Sequence, residues 1–512
     1  MNFMERLHTI LDDSKKMTEN GASGYATTGK ALVDLNFAVA SLRNMPEAEI
    51  IKKFIPAFYE DRTLAMKWLF FLRDARGGLG ERRTFRIIIR FLAGNAPEMI
   101  SGLIDIMVEY GRYDDLLCLF DTPLENAALT VLKEQLERDI ANLEAKISGS
   151  GLRELNISLC AKWMPGINTS SQESRRNAAK LQYFMGMTAR EYRKMLALLR
   201  AHLDVTEVYM SGNRWDEIDY TRVASKANII YRNAFMLHDQ ARRKEYLKKV
   251  QENHEVIHAG VLMPHEIVAQ YMVRSGWRME VGAEDVTLEA LWKNLPNMTA
   301  DAGNVLCVVD GSGSMLCPVG DGNTTALHVS NALGIYFAGQ MNGIYHDKFI
   351  TFSASPKYVD LSRCRTLREK LELAFANNAC TNTNIEATFE LILQTAVRNH
   401  LRQEELPGTI LVISDMEFDT AVSGCNTETL FATIRRRFAA YGYKMPKLVF
   451  WNVNSRTNVI PVRENELGVG LVSGFSVNVC NMVLANELDP FVCLKKTLDR
   501  ERYRKVEERL CS

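Results

Sequence analysis

The chain has 512 residues, in which 62 Lys and Arg side chains balance 62 Asp and Glu, so its net charge excludes a general affinity for nucleic acid or anionic membranes. Hydrophobic residues make up 47% and charged residues 24%, values typical of globular proteins, which excludes wholesale disorder and collagen-like classes. Ten cysteines without a CxxC pair indicate neither a disulfide framework nor a Cys-rich zinc site, and they favour the reducing cytoplasm.

The amino-terminal segment MNFMERLHTILDDSKK carries acidic residues where a signal peptide needs an uninterrupted apolar core. No later segment approaches the roughly 18 uncharged apolar residues of a membrane-spanning helix. We therefore expect a protein of the cytoplasm that makes no membrane contact.

Residues 1–298 read as one helix after another. In TAREYRKMLALLRAHL, Thr188 and Glu191 form a capping-box pattern, and the apolar residues that follow recur at helical spacing. Other helical stretches are LAMKWLFFLRDA, TFRIIIRFLAG, ALTVLKEQLERDIANLEAKI, VASKANIIYRNAFMLHDQARRKEYLKKVQ and PHEIVAQYMV. The pattern predicts an all-α, HEAT-like helical array, in which each helix pair buries its apolar face on the next.

The segment FFLRDARGGLGERRTFR places several arginines around a glycine-rich turn between two helices. The candidates for phosphate binding are Arg73, Arg76, Arg82 and Arg83. Exposed backbone amides and guanidinium groups suit phosphate, although the Gly-Lys-Ser/Thr ending of a nucleotide-binding loop is missing. Alternatively, these basic residues only satisfy helix carbonyls and the helix dipole.

A second basic run, KWMPGINTSSQESRRNAAKLQYFMGMTAREYRK, interleaves cations with Trp163, Tyr183 and Tyr192. Its candidate RNA contacts are Lys162, Arg175, Arg176 and Arg190. Such a mixture can follow a phosphate backbone and stack on unpaired bases. Alternatively, most of these aromatic residues belong to the hydrophobic core.

Residues 254–258 read HEVIH, which matches the HExxH signature of zinc peptidases with His254 and His258 as ligands and Glu255 as base. The extended metzincin pattern would need Gly and His where the chain has Val261 and Pro264. The alternative is a pair of surface histidines at a helix terminus.

From about residue 299 onward, short β-rich runs alternate with helical stretches, and the segment KNLPNMTADAGN marks the change. The strand candidates are VLCVVD, DKFITFSA, TILVISD, KLVFWNVN and VGLVSGF. This alternation predicts a doubly wound α/β domain over residues 299–512, with a parallel sheet between helices.

The strand VLCVVD ends in the pattern Asp310-x-Ser312-x-Ser314. In a parallel sheet, ligands bind at the carboxyl ends of the strands. Asp415 closes the strand TILVISD, and Thr381 lies in a loop that precedes a helix. Hard oxygen donors of this kind suit Mg²⁺ or Mn²⁺. Alternatively, Asp310 and the two serines only cap the following helix. Neither serine has the G-x-S-x-G surroundings of a serine nucleophile.

Asp310, Ser312, Ser314, Thr381 and Asp415 together resemble the metal-ion-dependent adhesion site of von Willebrand factor A domains. That resemblance implies a metal that completes its coordination with a carboxylate from a partner protein, and thus binding rather than catalysis.

A helical region followed by such a domain resembles the TROVE family of Ro autoantigens. The chain resembles more closely a related family of unknown function, through TENGASGYATTGKALVDL, RDARGGLGERRTF and LCAKWMPGINTSS. The Ro resemblance implies helices closed into a ring that receives single-stranded RNA 3′ ends, with small structured RNAs on its outer basic surface. We therefore expect a non-enzymatic RNA-binding scaffold; a metal-dependent protein adaptor without RNA, or a zinc peptidase, is the alternative.

Overall fold

The structure is a computed structural model that describes residues 15–18, 23–148, 156–203, 205–275, 278–297, 304–320, 324–378, 384–417, 427–457, 459–460, 469–476 and 489–510. The chain divides into two compact units. The sheet unit comprises Met1–Ala65 and Ile257–Arg500, and the helical unit comprises Met66–Val256 and Glu501–Ser512.

In the described residues up to Gln251 the structure is helical apart from a short antiparallel pair, β1 (Lys15–Met17) and β2 (Ser23–Tyr25). Its helices are α1 (Ala31–Phe37), α2 (Val39–Leu42), α3 (Glu47–Glu60), α4 (Arg62–Arg73), α5 (Arg83–Asn95), α6 (Glu98–Ser101), α7 (Met107–Tyr110), α8 (Glu125–Ile147), α9 (Cys160–Trp163), α10 (Gln172–Phe184), α11 (Ala189–His202), α12 (Thr206–Ser211), α13 (Ser225–Ile230), α14 (Arg232–His238) and α15 (Gln240–Gln251). Short 3₁₀ helices lie at Tyr113–Leu119, Trp215–Glu217 and Tyr220–Arg222.

The second half of the chain alternates strands and helices. Its strands are β3 (Met272–Ser275), β4 (Arg278–Val281), β5 (Val305–Asp310), β6 (Lys348–Phe352), β7 (Tyr358–Asp360), β8 (Thr409–Ser414), β9 (Lys447–Asn452) and β10 (Val469–Ser473). Its helices are α16 (Pro264–Tyr271), α17 (Val286–Lys293), α18 (Ala326–Gln340), α19 (Leu367–Asn377), α20 (Ile385–Arg398), α21 (Thr427–Ala440), α22 (Pro490–Leu498) and α23 (Glu501–Leu510), with 3₁₀ turns at Gly313–Leu316, Gly343–Tyr345 and Gln403–Glu405.

The predicted helix after Thr188 is confirmed as α11. The Thr188 backbone amide donates to Glu191 Oε2 at 2.7 Å, and the Glu191 amide donates to Thr188 Oγ1 at 3.3 Å, which completes the capping box. The buried face comprises Tyr192, Met195, Leu196 and Leu199. The HEAT-like character of the array stays a prediction. Among the described residues, no helix is both long and apolar enough to cross a membrane.

The main sheet has six strands in the order β10-β9-β8-β5-β6-β7. All neighbouring pairs are parallel except β6 with β7, so the predicted parallel strands are confirmed and an antiparallel edge strand is added. Strand β5 lies between β6 and β8. From β5 the chain continues to β6 and β7 on one side of it and then returns to β8 on the other side. The carboxyl ends of β5 and β8 therefore flank the switch point of the sheet, where ligands bind in open α/β folds.

Helix α18 is buried along almost its whole length, from Ala326 to Ala338. It packs so closely on β5 that a Cβ atom added to Gly334 would lie 2.3 Å from Val309 Cγ2. A glycine is therefore required for this approach, which holds β5 and the loop that follows it against a rigid helix.

The sheet unit also contains the first helices of the chain. Asn452 Nδ2 donates to the Phe37 carbonyl at 2.9 Å, and the Ala40 amide donates to Ser473 Oγ at 3.1 Å, both in buried positions. These bonds tie the α1 region to the ends of β9 and β10. The units consequently differ from the predicted division into residues 1–298 and 299–512.

The helical unit contains the last helix of the chain, α23. The buried Asp74 accepts hydrogen bonds from Arg502 Nη2 at 2.6 Å and from the Tyr503 hydroxyl at 3.0 Å. Burial alone would raise the pKa of Asp74, but hydrogen bonds from Arg502 and from the backbone of Arg76 and Gly77 outweigh it and lower the pKa. An ionised, fully paired aspartate thus joins α4 to α23.

We predict that Asp74→Ala lowers the free energy of unfolding by about 3 kcal/mol, because it leaves the Tyr503 hydroxyl and the Arg502 guanidinium without their acceptor. Urea unfolding followed by circular dichroism measures the change. Arg504→Ala on the exposed face of α23 is the matched control, with an expected change of less than about 0.5 kcal/mol. Equal losses in both variants would contradict a structural role for Asp74.

Candidate metal centre and basic surface

Asp310 ends β5 and is completely buried. Its Oδ1 accepts the Ser312 amide at 2.9 Å, and its Oδ2 accepts the Ser414 hydroxyl at 2.5 Å. The hydroxyl groups of Ser312 and Ser314 lie 3.0 Å apart. The structure therefore brings together the three residues of the Asp-x-Ser-x-Ser pattern, since the turn after Asp310 folds back on its own carboxylate.

Asp415 follows β8, the strand that pairs with β5, and is also buried. Burial, followed by the negative charge of Asp310, raises the pKa of Asp415 to about 7. Hydrogen bonds from the Ser314 side chain and the Glu417 backbone oppose this shift only in part. Asp415 Oδ2 is a buried oxygen with no hydrogen-bond donor among the described residues.

Thr381, the remaining predicted ligand, lies outside the described residues. Asn378, which precedes that segment, comes against the Asp310 loop: a Cβ atom added to Gly311 would lie 2.5 Å from Asn378 Oδ1. In the described structure Asn378 Oδ1 is a second buried oxygen without a donor. Gly311 is needed here because any side chain would collide with Asn378.

These groups fit a small divalent cation in their chemistry. Two buried carboxylates of like charge repel each other unless a cation lies nearby, and the adjacent hydroxyl groups are the hard neutral donors that Mg²⁺ and Mn²⁺ accept. Within the described part of the chain, no three His, Cys, Asp or Glu side chains gather as a metal group. An ion at this site would consequently depend on serine hydroxyls and water.

Sequence reasoning missed two residues that surround this centre. Glu417 is buried and accepts the amides of Arg456 and Thr457 at 2.8 and 2.9 Å. The guanidinium of Arg456 lies 3.7 Å from Asp415 Oδ2. The position of Glu417, two residues beyond Asp415, was visible in the sequence, but nothing there indicated that the loop after β9 would reach it.

The HEVIH motif does not form a zincin site. Helix α15 ends at Gln251, and residues 254–258 follow it in a non-helical segment. The His254 side chain is 72% exposed and lies 3.5 Å from Glu252. His254 and His258 are therefore not on successive turns of one helix, as zincin ligands must be.

The predicted phosphate-binding turn is used internally. Arg73 is buried, and its Nη2 atom lies 2.7 Å from Asp115 Oδ2. Arg73 therefore forms a structural ion pair with Asp115 and is unavailable to RNA. The turn amides bond to the end of α4: Gly80 donates to the Asp74 carbonyl at 3.1 Å and Glu81 to that of Leu72 at 2.8 Å. Of this group, Arg76, Arg82 and Arg83 are exposed.

A cluster of cations surrounds the half-buried Trp163. The Arg112 guanidinium lies 4.2 Å and Lys162 Nζ 5.8 Å from the centre of its rings. Burial lowers the pKa of Arg112, Asp114 opposes the shift, and the like charges of Arg82 and Arg73 add to it. We name Arg82, Arg112, Lys162 and Trp163 the arginine patch, a place where like positive charges lie close to an aromatic face.

The remaining basic candidates lie on the surface around α10 and α11. Arg175 donates to the carbonyl of Thr169 at 2.8 Å, and Arg176 Nη2 lies 2.8 Å from Asp121 Oδ2. Arg190 is exposed in the first turn of α11, and the nearby Tyr183 side chain is 85% exposed. Arg190 and Tyr183 are thus the members of this group best placed to meet a ligand.

Comparison with known proteins connects the chain to a protein of Acanthamoeba polyphaga mimivirus, the uncharacterized protein L728. The two are 31% identical over 523 residues, an alignment that covers 94% of this chain and 87% of the viral protein. The chain belongs to the same family. Two models of domains of unknown function match within it, DUF2828 over residues 167–305 and DUF7788 over residues 304–508.

A solved structure, the Ro (RSR) protein of Deinococcus radiodurans, aligns with 80% of this chain and 93% of its own chain at 14% identity. Its TM-score is 0.36. A score this low does not establish a common fold.

We predict that Mg²⁺ raises the melting temperature more at about pH 8 than at about pH 6. The pKa of Asp415 in the folded protein is about 7, above its ordinary 3.8. The metal-free protein therefore loses stability as the pH rises from the ordinary pKa to the raised one. A cation that pairs with the ionised form restores that loss. Differential scanning fluorimetry in EDTA and in millimolar Mg²⁺ measures both effects.

Asp415→Asn is the control for this measurement. Without the repulsion from Asp310, the variant should melt higher than the wild type in EDTA at about pH 8 and should show no Mg²⁺ shift. A Mg²⁺ shift of the same size in the variant would place the cation elsewhere.

Proposed function

We propose that the chain is a non-enzymatic RNA-binding scaffold, with RNA bound by the helical unit and an acidic protein partner bound by the sheet unit through Mg²⁺. The observation that carries the RNA proposal is the arginine patch. Arg112 and Lys162 lie over one half-buried indole there, and the like charges of Arg82 and Arg73 act on Arg112.

An arrangement of this kind suits single-stranded RNA. An indole face stacks on an unpaired base, while guanidinium and ammonium groups hold the adjacent phosphates. Arg76, Arg83 and Arg190 of the same unit are also exposed. The balanced net charge is compatible with this proposal because binding depends on local potential rather than on the total charge.

The motifs RDARGGLGERRTF and LCAKWMPGINTSS, through which the chain resembles a Ro-related family of unknown function, both contribute to the arginine patch. The first supplies Arg82 and the second supplies Lys162 and Trp163. The order of a helical region followed by an adhesion-site domain resembles Ro proteins, and on that ground we extend the proposal to single-stranded 3′ ends and small structured RNAs.

Arg82→Glu and Trp163→Ala should each weaken binding of a fluorescently labelled oligouridine roughly five- to tenfold, measured by fluorescence anisotropy. Arg82→Glu should also reduce the slope of log affinity against log salt by about one, because one phosphate contact is lost. Trp163→Ala removes stacking and leaves that slope unchanged.

Lys244→Glu, an exposed charge reversal on α15 outside the arginine patch, is the matched control and should bind oligouridine like the wild type. If Lys244→Glu weakens oligouridine binding as much as Arg82→Glu does, the loss of affinity reflects the total charge of the protein rather than a contact at the arginine patch. Binding that does not depend on salt in the wild type would contradict the RNA proposal altogether.

The metal half of the proposal is carried by the buried Oδ2 atom of Asp415 beside Asp310, which meets no donor within the described part of the chain. Asp310, Ser312, Ser314 and Asp415 would hold Mg²⁺ or Mn²⁺, together with Thr381 if the adhesion-site pattern extends that far. Such an ion supplies an open coordination position for a partner's carboxylate. The same feature alone would support a metal-dependent adaptor that binds no RNA.

Asp310→Ala should abolish stoichiometric Mn²⁺ binding, measured by the loss of the free-ion signal in electron paramagnetic resonance, because it removes the central carboxylate. Oligouridine binding should be unchanged in this variant, since the arginine patch belongs to the other unit. Simultaneous loss of both activities would indicate misfolding, and retained Mn²⁺ binding would contradict the assigned ligands.

A further inference from the structure

Arg456 occupies a fixed position in the loop that follows β9. Its own amide donates to Glu417 Oε1 at 2.8 Å, and Thr457 adds hydrogen bonds from its amide at 2.9 Å and from its hydroxyl at 3.0 Å. Asn452 Oδ1 accepts the Ser455 amide at 2.8 Å and sets the turn before it. The backbone at Arg456 is therefore held in place by these hydrogen bonds.

That side chain extends between the two loops of the candidate metal centre. Its Nη1 donates to Cys317 Sγ at 2.9 Å, and its Nη2 lies 3.7 Å from Asp415 Oδ2. At 3.7 Å, Arg456 and Asp415 form an ion pair but no hydrogen bond. This agrees with the finding that Asp415 Oδ2 has no donor among the described residues. The guanidinium therefore contributes its charge to Asp415 without satisfying the carboxylate oxygen.

The Arg456 side chain is 28% exposed, whereas that of Asp415 is 2% exposed. A guanidinium at the edge of solvent can turn outward, but the carboxylate cannot follow it. The hydrogen bond to sulfur is weak and the ion pair to Asp415 is long, so water can replace both at little cost when the side chain turns outward.

We propose that Arg456 is an internal counter-cation of Asp415 that competes with the divalent ion for the buried carboxylate pair and so sets the metal affinity of the site. The inference rests on the metal site proposed above. A divalent ion between Asp310 and Asp415 would repel a guanidinium at this distance, so binding of the ion requires Arg456 to turn toward solvent. The site then fills only when the ion concentration is high enough to displace the arginine.

The test compares Arg456→Gln with the wild type in two measurements, the dissociation constant for Mn²⁺ by electron paramagnetic resonance and the melting temperature in EDTA. We expect the variant to bind Mn²⁺ roughly three- to tenfold more tightly, the value of a partly screened ion pair. It should melt at a lower temperature in EDTA at about pH 8, because Asp415 has lost the positive charge that Arg456 holds beside it.

Two further variants sharpen the comparison. Arg456→Lys keeps the charge and should stay close to the wild type in Mn²⁺ affinity. Arg363→Gln removes an exposed arginine of the same unit and should change neither measurement. Arg456→Met, which retains the apolar stem, replaces the Gln variant if the latter does not fold.

Tighter Mn²⁺ binding in Arg456→Gln supports the inference, including the case in which only the variant binds. If the wild type binds Mn²⁺ and the variant binds it equally or more weakly, the inference is overturned while the metal site stands. If neither protein binds Mn²⁺, both the metal site and the inference fail.

Discussion

The sheet unit is organised around two carboxylates that the fold forces together. Parallel pairing of β5 with β8 places Asp310 and Asp415 at the same edge of the sheet, on either side of its switch point. Both are buried, and a pair of like charges in such a position costs free energy unless a proton or a cation relieves it. The raised pKa of Asp415 reflects that cost in free energy. The loops around Asp415 supply the oxygen atoms that can hold a cation and the arginine whose charge can lower the cost.

In the helical unit, buried carboxylates are paired with arginines. Asp74 is paired with Arg502, and Asp115 accepts both Arg73 and Arg86, so these ions are neutralised inside the unit and hold its helices together. Charge that is paired in this way has little left to offer a ligand. The arginine patch differs because like charges crowd Arg112 and an indole face lies beside them. The contrast separates structural arginines from candidate binding arginines within one stretch of sequence.

Each candidate site is assembled from distant parts of the chain. The metal centre joins the loops after β5, β8 and β9, and the arginine patch joins the glycine-rich turn, the start of the 3₁₀ helix at Tyr113–Leu119 and the end of α9. Such sites depend on the rigid elements beneath them. In the sheet unit that support is α18, whose Gly334 lets it lie directly on Val309 and fix the strand that carries Asp310.

The sequence by itself determined the elements whose signals are local. Apolar runs ending in Asp310 and Asp415 fixed β5 and β8, and the capping pattern at Thr188 fixed α11, because a strand or a helix end is specified by residues within a few positions of each other. The likeness of those two strand ends also sufficed to predict that their carboxylates would meet.

Only the tertiary structure decided how distant residues share charge and space. Arg73 looked like its exposed neighbours but is buried on Asp115, and Arg456 carried no motif yet faces Asp415. The first helices of the chain lie with the sheet, and the last helix lies with the helical unit, because buried hydrogen bonds at Asn452 and Asp74 hold them there. Pairings across hundreds of residues leave no periodicity in the sequence, since they depend on which surfaces meet after the local elements have formed.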